Sequence, residues 1–439
     1  MSGIKWTWKM LVIFLFLAVL FSATPAAAME PPEPVEAEGA VLYELGSGKY
    51  LYEQNADRRL YPASTTKIMT ALLFLENTGL DEIVTVGEEI ELIGKDSSIA
   101  GLQKGDQLSA AELLWAMLLP SGNDAAYTAA VHTARLKEGD PALPAEAAVA
   151  RFAGMMNEKA RSLGATGTHF VTPDGYHHPD HYTTARDLAL IAREALRHDF
   201  IRTVVATPVH EASYLNSAGE AVAQTWQNTN LLLHRHQPQY YPAATGIKTG
   251  YTSEAGYNLV AAAEGGGLSL VAVILNSTAE ARWKDAANLF DFALENYRFQ
   301  TIVAAGERLL TTALTNQAAG EPDTLPVIAA AGYHDLFSIE EIAAIEKIIS
   351  WNSPRVSETG TEIVLKAPLQ AGEVLGAVSY RLKGETLFET ELLAGGSVKA
   401  RFPWEFAAWA VPLLLLLLIP PFFRIRRIRK TRGRARRRF

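Results

Sequence analysis

The sequence contains no cysteine among its 439 residues. This absence excludes disulfide bonds, a thiolate nucleophile and any metal site built on cysteine sulfur. No repeat of fixed period is visible either, so the sequence does not indicate a solenoid or a propeller. The fold must therefore rest on its apolar core. With 49% hydrophobic residues, the chain is long enough to form two domains.

Positive charge is scarce in the body of the chain. Ten cations lie in residues 424–439, and Lys5 and Lys9 lie near the start. Removing these twelve from the formal net charge of −8 leaves −20 for residues 29–423. Because an acidic surface repels polyanions, we expect no nucleic-acid partner.

The first 28 residues predict a secretory signal peptide. Lys5 and Lys9 precede an uncharged apolar run over residues 10–21, and three alanines at 26–28 form a cleavage site of small residues. The run is too short for a permanent anchor, since a membrane-spanning helix needs about 20 apolar residues. Residues 29–38 are acidic and proline-rich, which predicts a linker.

A second uncharged apolar run, residues 406–423, predicts a transmembrane anchor after a linker over residues 396–405. As a helix it would cover about 27 Å, close to the roughly 30 Å of a hydrocarbon core. Pro412, Pro420 and Pro421 leave an interfacial helix as the alternative. The basic tail at 424–439 is expected to be cytoplasmic, which places the body on the extracytoplasmic face of the cell membrane.

Between these ends, the pattern predicts domains at residues 39–296 and 297–395. In the first, strand patterns at 41–52 and 243–275 flank a helical middle. This order predicts an α+β fold, with an antiparallel sheet packed with helices. The second domain is expected to be small and β-rich. Its predicted elements are strands near 361–365, 374–378 and 386–390 and a helical stretch over 339–349.

Three clusters contain side chains that can take part in catalysis: Ser-Thr-Thr-Lys at 64–67, Ser-Gly-Asn at 121–123 and Lys-Thr-Gly at 248–250. Each cluster alone is common in proteins: the first as a helix cap, the second as a turn and the third at the end of a strand. Ser64 and Lys67 are three positions apart at a predicted helix N-terminus, so their side chains share one face. A lysine whose pKa is lowered by burial and by a second cation, such as Lys248, can activate a serine. The ordered set predicts an acyl-transfer site.

The set resembles the low-molecular-mass penicillin-binding proteins that act as D-alanyl-D-alanine carboxypeptidases, serine peptidases of the penicillin-binding and β-lactamase-like superfamily. The resemblance rests on residues 61–72, 120–126, 182–188 and 245–250 and extends over roughly residues 39–395. It implies a transpeptidase-like catalytic domain and peptidoglycan stem pentapeptides as substrates. It also implies β-lactams as covalent inhibitors, and no cofactor or metal.

The resemblance also implies a role for each matching residue. The catalytic groups would be Ser64 as the acylated nucleophile, Lys67 as its base and Ser121 as a proton relay. Among the substrate-binding groups, Asn123 would bind the substrate amide, and Lys248, Thr249 and Arg282 would bind the terminal carboxylate. Gly250 would allow the substrate to approach closely as an added strand. The N–H groups of Ser64 and Tyr251 would form the oxyanion hole. The predicted span at 406–423 departs from the amphipathic surface helix that commonly ends this family.

Four alternatives remain open. A DD-endopeptidase would use the same residues on a cross-link, and a sensor would be acylated without turnover. A class A β-lactamase needs Glu-x-x-Leu-Asn, and residues 211–216 are one residue too long for it. A zinc hydrolase would use His177, His178, Asp180 and His181, which lack helical metal-site spacing and surround Pro179.

Overall fold

The computed structural model describes residues 34–359, 362–404 and residue 411. The chain divides into two compact units, the first ending at Asn296 and the second beginning at Tyr297. The predicted signal peptide, the basic tail and, apart from residue 411, the predicted anchor lie outside the described residues. Within the described ranges, no helix is both long enough and apolar enough to cross a membrane.

The first unit combines nine strands with seven helices in its described part. The strands are β1 (Gly39–Glu44), β2 (Tyr50–Gln54), β3 (Ile83–Thr85), β4 (Gln107–Ser109), β5 (Val209–Leu215), β6 (Ala221–Gln227), β7 (Ala244–Thr252), β8 (Gly256–Gly265) and β9 (Leu268–Ser277). The helices are α1 (Lys67–Asn77), α2 (Ala110–Leu118), α3 (Asn123–Glu138), α4 (Ala145–Ser162), α5 (Ala185–Ala195), α6 (Asp199–Ala206) and α7 (Ala281–Asn296). Short 3-10 helices lie at Ala63–Thr66, Glu88–Leu92 and Leu231–Leu233.

An antiparallel sheet with the order β2-β1-β9-β8-β7 is the frame of this unit. Strands β8 and β9 each contain six consecutive buried residues, because helices α5 and α7 both pack against them. The strand patterns predicted at 41–52 and 243–275 are confirmed, the first as the hairpin of β1 and β2 and the second as β7, β8 and β9. Strand β7 ends the sheet, so its outer edge has no strand partner within the described residues.

Helix α1 is the buried centre of the helical layer. All of its residues from 67 to 74 are buried, and it packs against α2, α3, α4 and α5. At the start of α2, Ser109 and Glu112 have the spacing of a capping box, which forms only in part. Ser109 Oγ accepts the N–H of Glu112 at 3.1 Å, but the Glu112 carboxylate lies 3.0 Å from His210 Nε2 instead of bonding the cap backbone.

A four-stranded sheet, β3-β4-β5-β6, was not predicted from the sequence. Strands β3 and β4 have only three residues each, too few to show an alternating pattern. The near match to a β-lactamase glutamate motif lies on β5. There, the Glu211 carboxylate accepts a hydrogen bond from Thr225 on the neighbouring β6 at 2.9 Å.

The second unit is β-rich. Its described elements are β10 (Tyr297–Val303), β11 (Arg308–Thr315), β12 (Thr324–Ala329), β13 (Tyr333–Ser338), α8 (Ile339–Ala344), β14 (Glu346–Trp351), β15 (Val356–Thr359), β16 (Glu362–Lys366), β17 (Val374–Leu382) and β18 (Glu385–Ala394). They form a seven-stranded sheet, β14-β17-β18-β12-β11-β16-β15, and a two-stranded sheet, β10-β13.

The helix predicted over residues 339–349 is wrong in its second half. Helix α8 begins at a full capping box between Ser338 and Glu341 but ends at Ala344. Residues 346–351 instead form β14, which pairs along β17. Ile349 packs against the apolar core of this unit, so tertiary pairing overrides the helical spacing of the apolar residues.

Candidate active site

Ser64 lies in the 3-10 turn that runs directly into α1. Its neighbour Ala63 has a φ of 48°, a left-handed conformation that is unfavourable for a residue with a side chain. A Cβ at Gly175 would lie 1.8 Å from the Ala63 oxygen, so only glycine fits against this turn. From the sheet, Asn258 Nδ2 donates to the carbonyls of Tyr61 at 2.8 Å and Pro62 at 2.9 Å. This turn, residues 61–66, is called the nucleophile turn after the predicted role of Ser64; it is held by the loop around Gly175 and by the sheet.

Lys67, the first residue of α1, is fully buried and joins the first two clusters. Its Nζ lies 2.9 Å from Ser64 Oγ, 3.4 Å from Ser121 Oγ and 2.6 Å from Asn123 Oδ1. The backbone oxygen of Asp174 accepts a further hydrogen bond at 3.1 Å. One amine thus contacts both hydroxyls and the amide that the sequence singled out.

Burial lowers the pKa of Lys67 from its ordinary 10.5 to about 8, although the charges of Asp174 and Asp124 oppose the shift. Removal of water disfavours the ammonium form. At pH 7, about a tenth of the molecules would then hold the neutral amine, which can accept the proton of Ser64.

The second cluster is a strained turn at the start of α3. Ser121 has a φ of 65°, and its carbonyl accepts a hydrogen bond from Ser98 Oγ at 2.7 Å. Gly122 is needed because a Cβ there would lie 2.6 Å from the Ala116 oxygen. The next residue, Asp124, is buried and accepts backbone N–H groups of Ala100, Gly101, Leu102 and Ala125. Its carboxylate ties the 98–102 loop to the turn.

The third cluster lies on the edge strand β7. Lys248 is buried and donates to the Thr249 carbonyl at 3.1 Å. Desolvation, with the charges of Lys67 and Arg282, holds the pKa of Lys248 well below its usual range. A Cβ at Gly250 would lie 2.9 Å from the Pro62 oxygen and 3.1 Å from the Ser64 nitrogen. The glycine is therefore required for contact between β7 and the nucleophile turn, a reason the sequence did not reveal.

Two predicted site residues lie at the border of this arrangement. Tyr251 is 54% exposed, and its ring centre lies 4.4 Å from that of Tyr257. Arg282, at the start of α7, stacks its guanidinium on Trp283 at 4.3 Å and on Tyr257 at 4.9 Å. Arg282 acts on the site through its charge, which helps to lower the pKa of Lys248.

The histidine-rich segment has a structural role through His181. Its Nδ1 accepts the N–H groups of Val171 and Thr172, both at 3.2 Å. The proton therefore resides on Nε2, which donates to Thr66 Oγ1 at 2.9 Å. Burial lowers the pKa of His181 to about 3, so the ring stays neutral. Within the described ranges, no group of three or more His, Cys, Asp or Glu side chains could hold a metal ion.

Several residues of the site were missed by the sequence reasoning. Asp124 follows the second cluster directly, and Asn258 is a polar residue inside an apolar strand, so both carried a signal. Asp174 and Gly175 resemble an ordinary Pro-Asp-Gly turn. Thr229 Oγ1 lies 2.6 Å from Thr249 Oγ1, but nothing in the sequence around Thr229 indicates this contact.

Comparison with known proteins gives a consistent result. The family model described as D-alanyl-D-alanine carboxypeptidase, Peptidase_S11, matches residues 25–279. The D-alanyl-D-alanine carboxypeptidase DacF of Bacillus subtilis (strain 168) is 30% identical over 374 residues, which cover 83% of this chain and 86% of the relative. The Streptomyces K15 DD-transpeptidase structure has 36% identity and a TM-score of 0.56, covering 60% of this chain and 98% of its own. Penicillin-binding protein 5 from Haemophilus influenzae has 26% identity and a TM-score of 0.57, covering 84% of this chain and 100% of its own.

Proposed function

The chain belongs to the D-alanyl-D-alanine carboxypeptidase family, and from this premise we propose how its residues carry out the reaction. It is a serine-type hydrolase that removes the terminal D-alanine from peptidoglycan stem peptides. The observation that carries the mechanism is the position of Lys67 Nζ, 2.9 Å from Ser64 Oγ and 2.6 Å from Asn123 Oδ1.

In acylation, Ser64 Oγ attacks the carbonyl carbon between the two D-alanines while Lys67 accepts the hydroxyl proton. The carbonyl oxygen becomes negative and is stabilised by the N–H groups of Ser64 and Tyr251. Support comes from the packing of β7 on the Ser64 turn: a Cβ at Gly250 would lie 3.1 Å from the Ser64 nitrogen, and Tyr251 is the next residue along β7. The C–N bond then breaks, and Ser121 passes the proton from Lys67 to the leaving amine. The products are free D-alanine and an ester on Ser64.

Substrate binding uses the third cluster and the open edge of β7. We assign the terminal carboxylate to Lys248, Thr249 and Arg282 and the substrate amide to Asn123. A bound carboxylate favours the ammonium form of Lys248, and a charged Lys248 in turn favours the neutral form of Lys67. The substrate would therefore activate its own base.

Deacylation reverses the proton path. Water attacks the ester carbon and gives its proton to Lys67, the ester C–O bond breaks, and the Ser64 oxygen regains a proton from Lys67. β-Lactams would acylate the same oxygen when their ring C–N bond opens. Their leaving nitrogen stays tethered to the acyl group, so they would remain bound as covalent inhibitors.

The test is D-alanine release from diacetyl-L-lysyl-D-alanyl-D-alanine by the full chain and by Ser64→Ala. We expect release by the parent protein alone. Covalent penicillin binding by a parent that releases no D-alanine would contradict the carboxypeptidase mechanism. That outcome would favour the endopeptidase, which should release cross-linked peptides, or the sensor without turnover.

We also propose an extracytoplasmic location, with residues 406–423 at the membrane and the basic tail in the cytoplasm. The support is the charge and apolar pattern of the ends of the sequence. Removing residues 406–439 should transfer the protein from the membrane fraction to the soluble extracytoplasmic fraction. Retention in the membrane fraction would contradict this anchoring.

A further inference from the structure

Tyr176 belongs to a loop that packs on the nucleophile turn. Two residues before it, the Asp174 carbonyl accepts a hydrogen bond from Lys67 at 3.1 Å. One residue before it, Gly175 lies so close to Ala63 that a Cβ there would be 1.8 Å from the Ala63 oxygen. Tyr176 follows directly, and the next residue, His177, packs its ring 4.7 Å from that of Tyr61, just before the Ser64 turn.

Gly94 belongs to a second loop, which borders the second cluster. Four residues after Gly94, Ser98 donates its hydroxyl to the Ser121 carbonyl at 2.7 Å and accepts the N–H of Asn123 at 2.9 Å. The loop that contains Gly94 thus lies on the side of the site where Asn123 binds the substrate amide.

The two loops meet where the Tyr176 ring rests on the Gly94 backbone. A Cβ at Gly94 would lie 2.3 Å from Cε2 and 2.5 Å from Cζ of Tyr176, so glycine is the residue that allows this contact. Tyr176 is nevertheless 44% exposed. The Gly94 backbone therefore holds its ring on one side, while much of the residue remains accessible.

The orientation of the substrate decides which part of it reaches this ring. Ser64 lies between β7, whose Gly250 packs on its backbone nitrogen, and the second cluster, which reaches it through Lys67. With the terminal carboxylate on Lys248 and Thr249 and the substrate amide on Asn123, as proposed above, the rest of the peptide extends past Asn123. The residue before the two D-alanines then comes towards Tyr176 and Gly94.

We propose that Tyr176, seated on Gly94, is a specificity-determining residue that packs against the side chain preceding the two D-alanines of the substrate. This inference rests on the proposed function and identifies the part of the stem peptide that the site selects. An aromatic ring offers a flat apolar surface to the methylene groups of a long diamino side chain and attracts its terminal cation. A short side chain at the same position gains little from the ring.

The experiment compares two peptides, Nα-acetyl-L-lysyl-D-alanyl-D-alanine and Nα-acetyl-L-alanyl-D-alanyl-D-alanine, with the full chain and the variant Tyr176→Ala. For the lysine peptide, we expect kcat/KM to fall about 10-fold in the variant, mainly through KM, since a few methylene contacts are lost. For the alanine peptide, the change should stay below about twofold. Tyr176→Phe keeps the ring and should retain the preference for lysine.

Gly94→Ala provides a second variant, because its methyl group displaces the ring without removing it. It should lower kcat/KM for the lysine peptide in the same direction. Penicillin acylation of Ser64 checks that each variant is folded. Equal losses on both peptides, or no loss on the lysine peptide with Tyr176→Ala, would overturn the inference. Failure of the unmodified protein to release D-alanine from either peptide would overturn the proposed function, and this inference with it.

Discussion

The two units of the chain differ in what they bury. In the described part of the second unit, the buried polar side chains are all hydroxyl groups, namely Thr312, Ser338, Ser379 and Thr390. The first unit buries two lysines, a histidine and several carboxylates and amides, among them Lys67, Lys248, His181, Asp124 and Asn258. Burying such groups is unfavourable unless each has partners. In the proposed reaction Lys67 and Lys248 act directly, whereas His181, Asp124 and Asn258 hold the turns and loops around them.

Backbone strain at three residues illustrates the same difference between the units. In the first unit, Ala63 and Ser121 have positive φ values and lie beside the nucleophile and in the second cluster. In the second unit, Lys383 has a φ of 53° and precedes Gly384 at 86°, an ordinary turn between β17 and β18. At Ala63 and Ser121 this strain thus lies beside groups of the proposed reaction, whereas at Lys383 it only reverses the chain.

The variant Lys67→Met tests this comparison and should have the largest effect. Without the amine, Ser64 loses its base, and we expect the acylation rate to fall about 10³ to 10⁴-fold. Thermal stability should stay unchanged or rise, because methionine removes the desolvation of a buried cation. Stopped-flow acylation and a thermal melt measure the two effects. A large loss of stability would show that Lys67 also holds the fold together.

Gly250→Ala tests whether the contact between β7 and the nucleophile turn sets the rate. The new Cβ would lie 2.9 Å from the Pro62 oxygen, and we expect acylation to slow about 10² -fold as Ser64 shifts. Gly79→Ala is the matched control, since a Cβ there meets nothing within 4 Å. If both variants acylate at the parent rate, the close approach does not control catalysis.

The pH profile tests the state of the base. Because the pKa of Lys67 is lowered to about 8, the neutral fraction and the acylation rate should rise about 10-fold per pH unit below 8 and level off above it. Measuring penicillin acylation from pH 5.5 to 9 gives the midpoint. A rate that is flat across this range would exclude Lys67 as the titrating base.

His181 predicts acid sensitivity in the first unit. Its pKa is about 3 when folded and 6.5 ordinarily, so between these values the unfolded chain binds the proton and the folded chain does not. Stability is therefore lost as pH falls from 6.5 towards 3, by up to about 1.4 kcal/mol per pH unit.

Urea titrations between pH 4 and 7 measure this dependence, with penicillin binding as the reporter of the first unit. The variant His181→Gln should flatten the slope over that range, since glutamine does not titrate. An unchanged slope in the variant would assign the acid sensitivity to other groups of the first unit.

The sequence predicts those elements whose pattern lies within a short stretch of the chain. The strand patterns at 41–52 and 243–275 and the helical middle between them follow from periodicity, and all are present. The β3-β4-β5-β6 sheet and the end of α8 escape such reasoning, because pairing with distant strands decides them. The fate of residues 346–351 shows that apolar spacing alone does not separate a short helix from an edge strand.

The site divides in the same way. The order and spacing of the three clusters indicate the class of chemistry, since the side chains of residues three apart, such as Ser64 and Lys67, share one face of a helical turn. Only the tertiary structure decides that Lys67 contacts Ser121 and Asn123, that its pKa falls, and that Gly250 and Gly175 must be glycines. These properties depend on burial and on distances between residues far apart in the chain, which no local pattern contains.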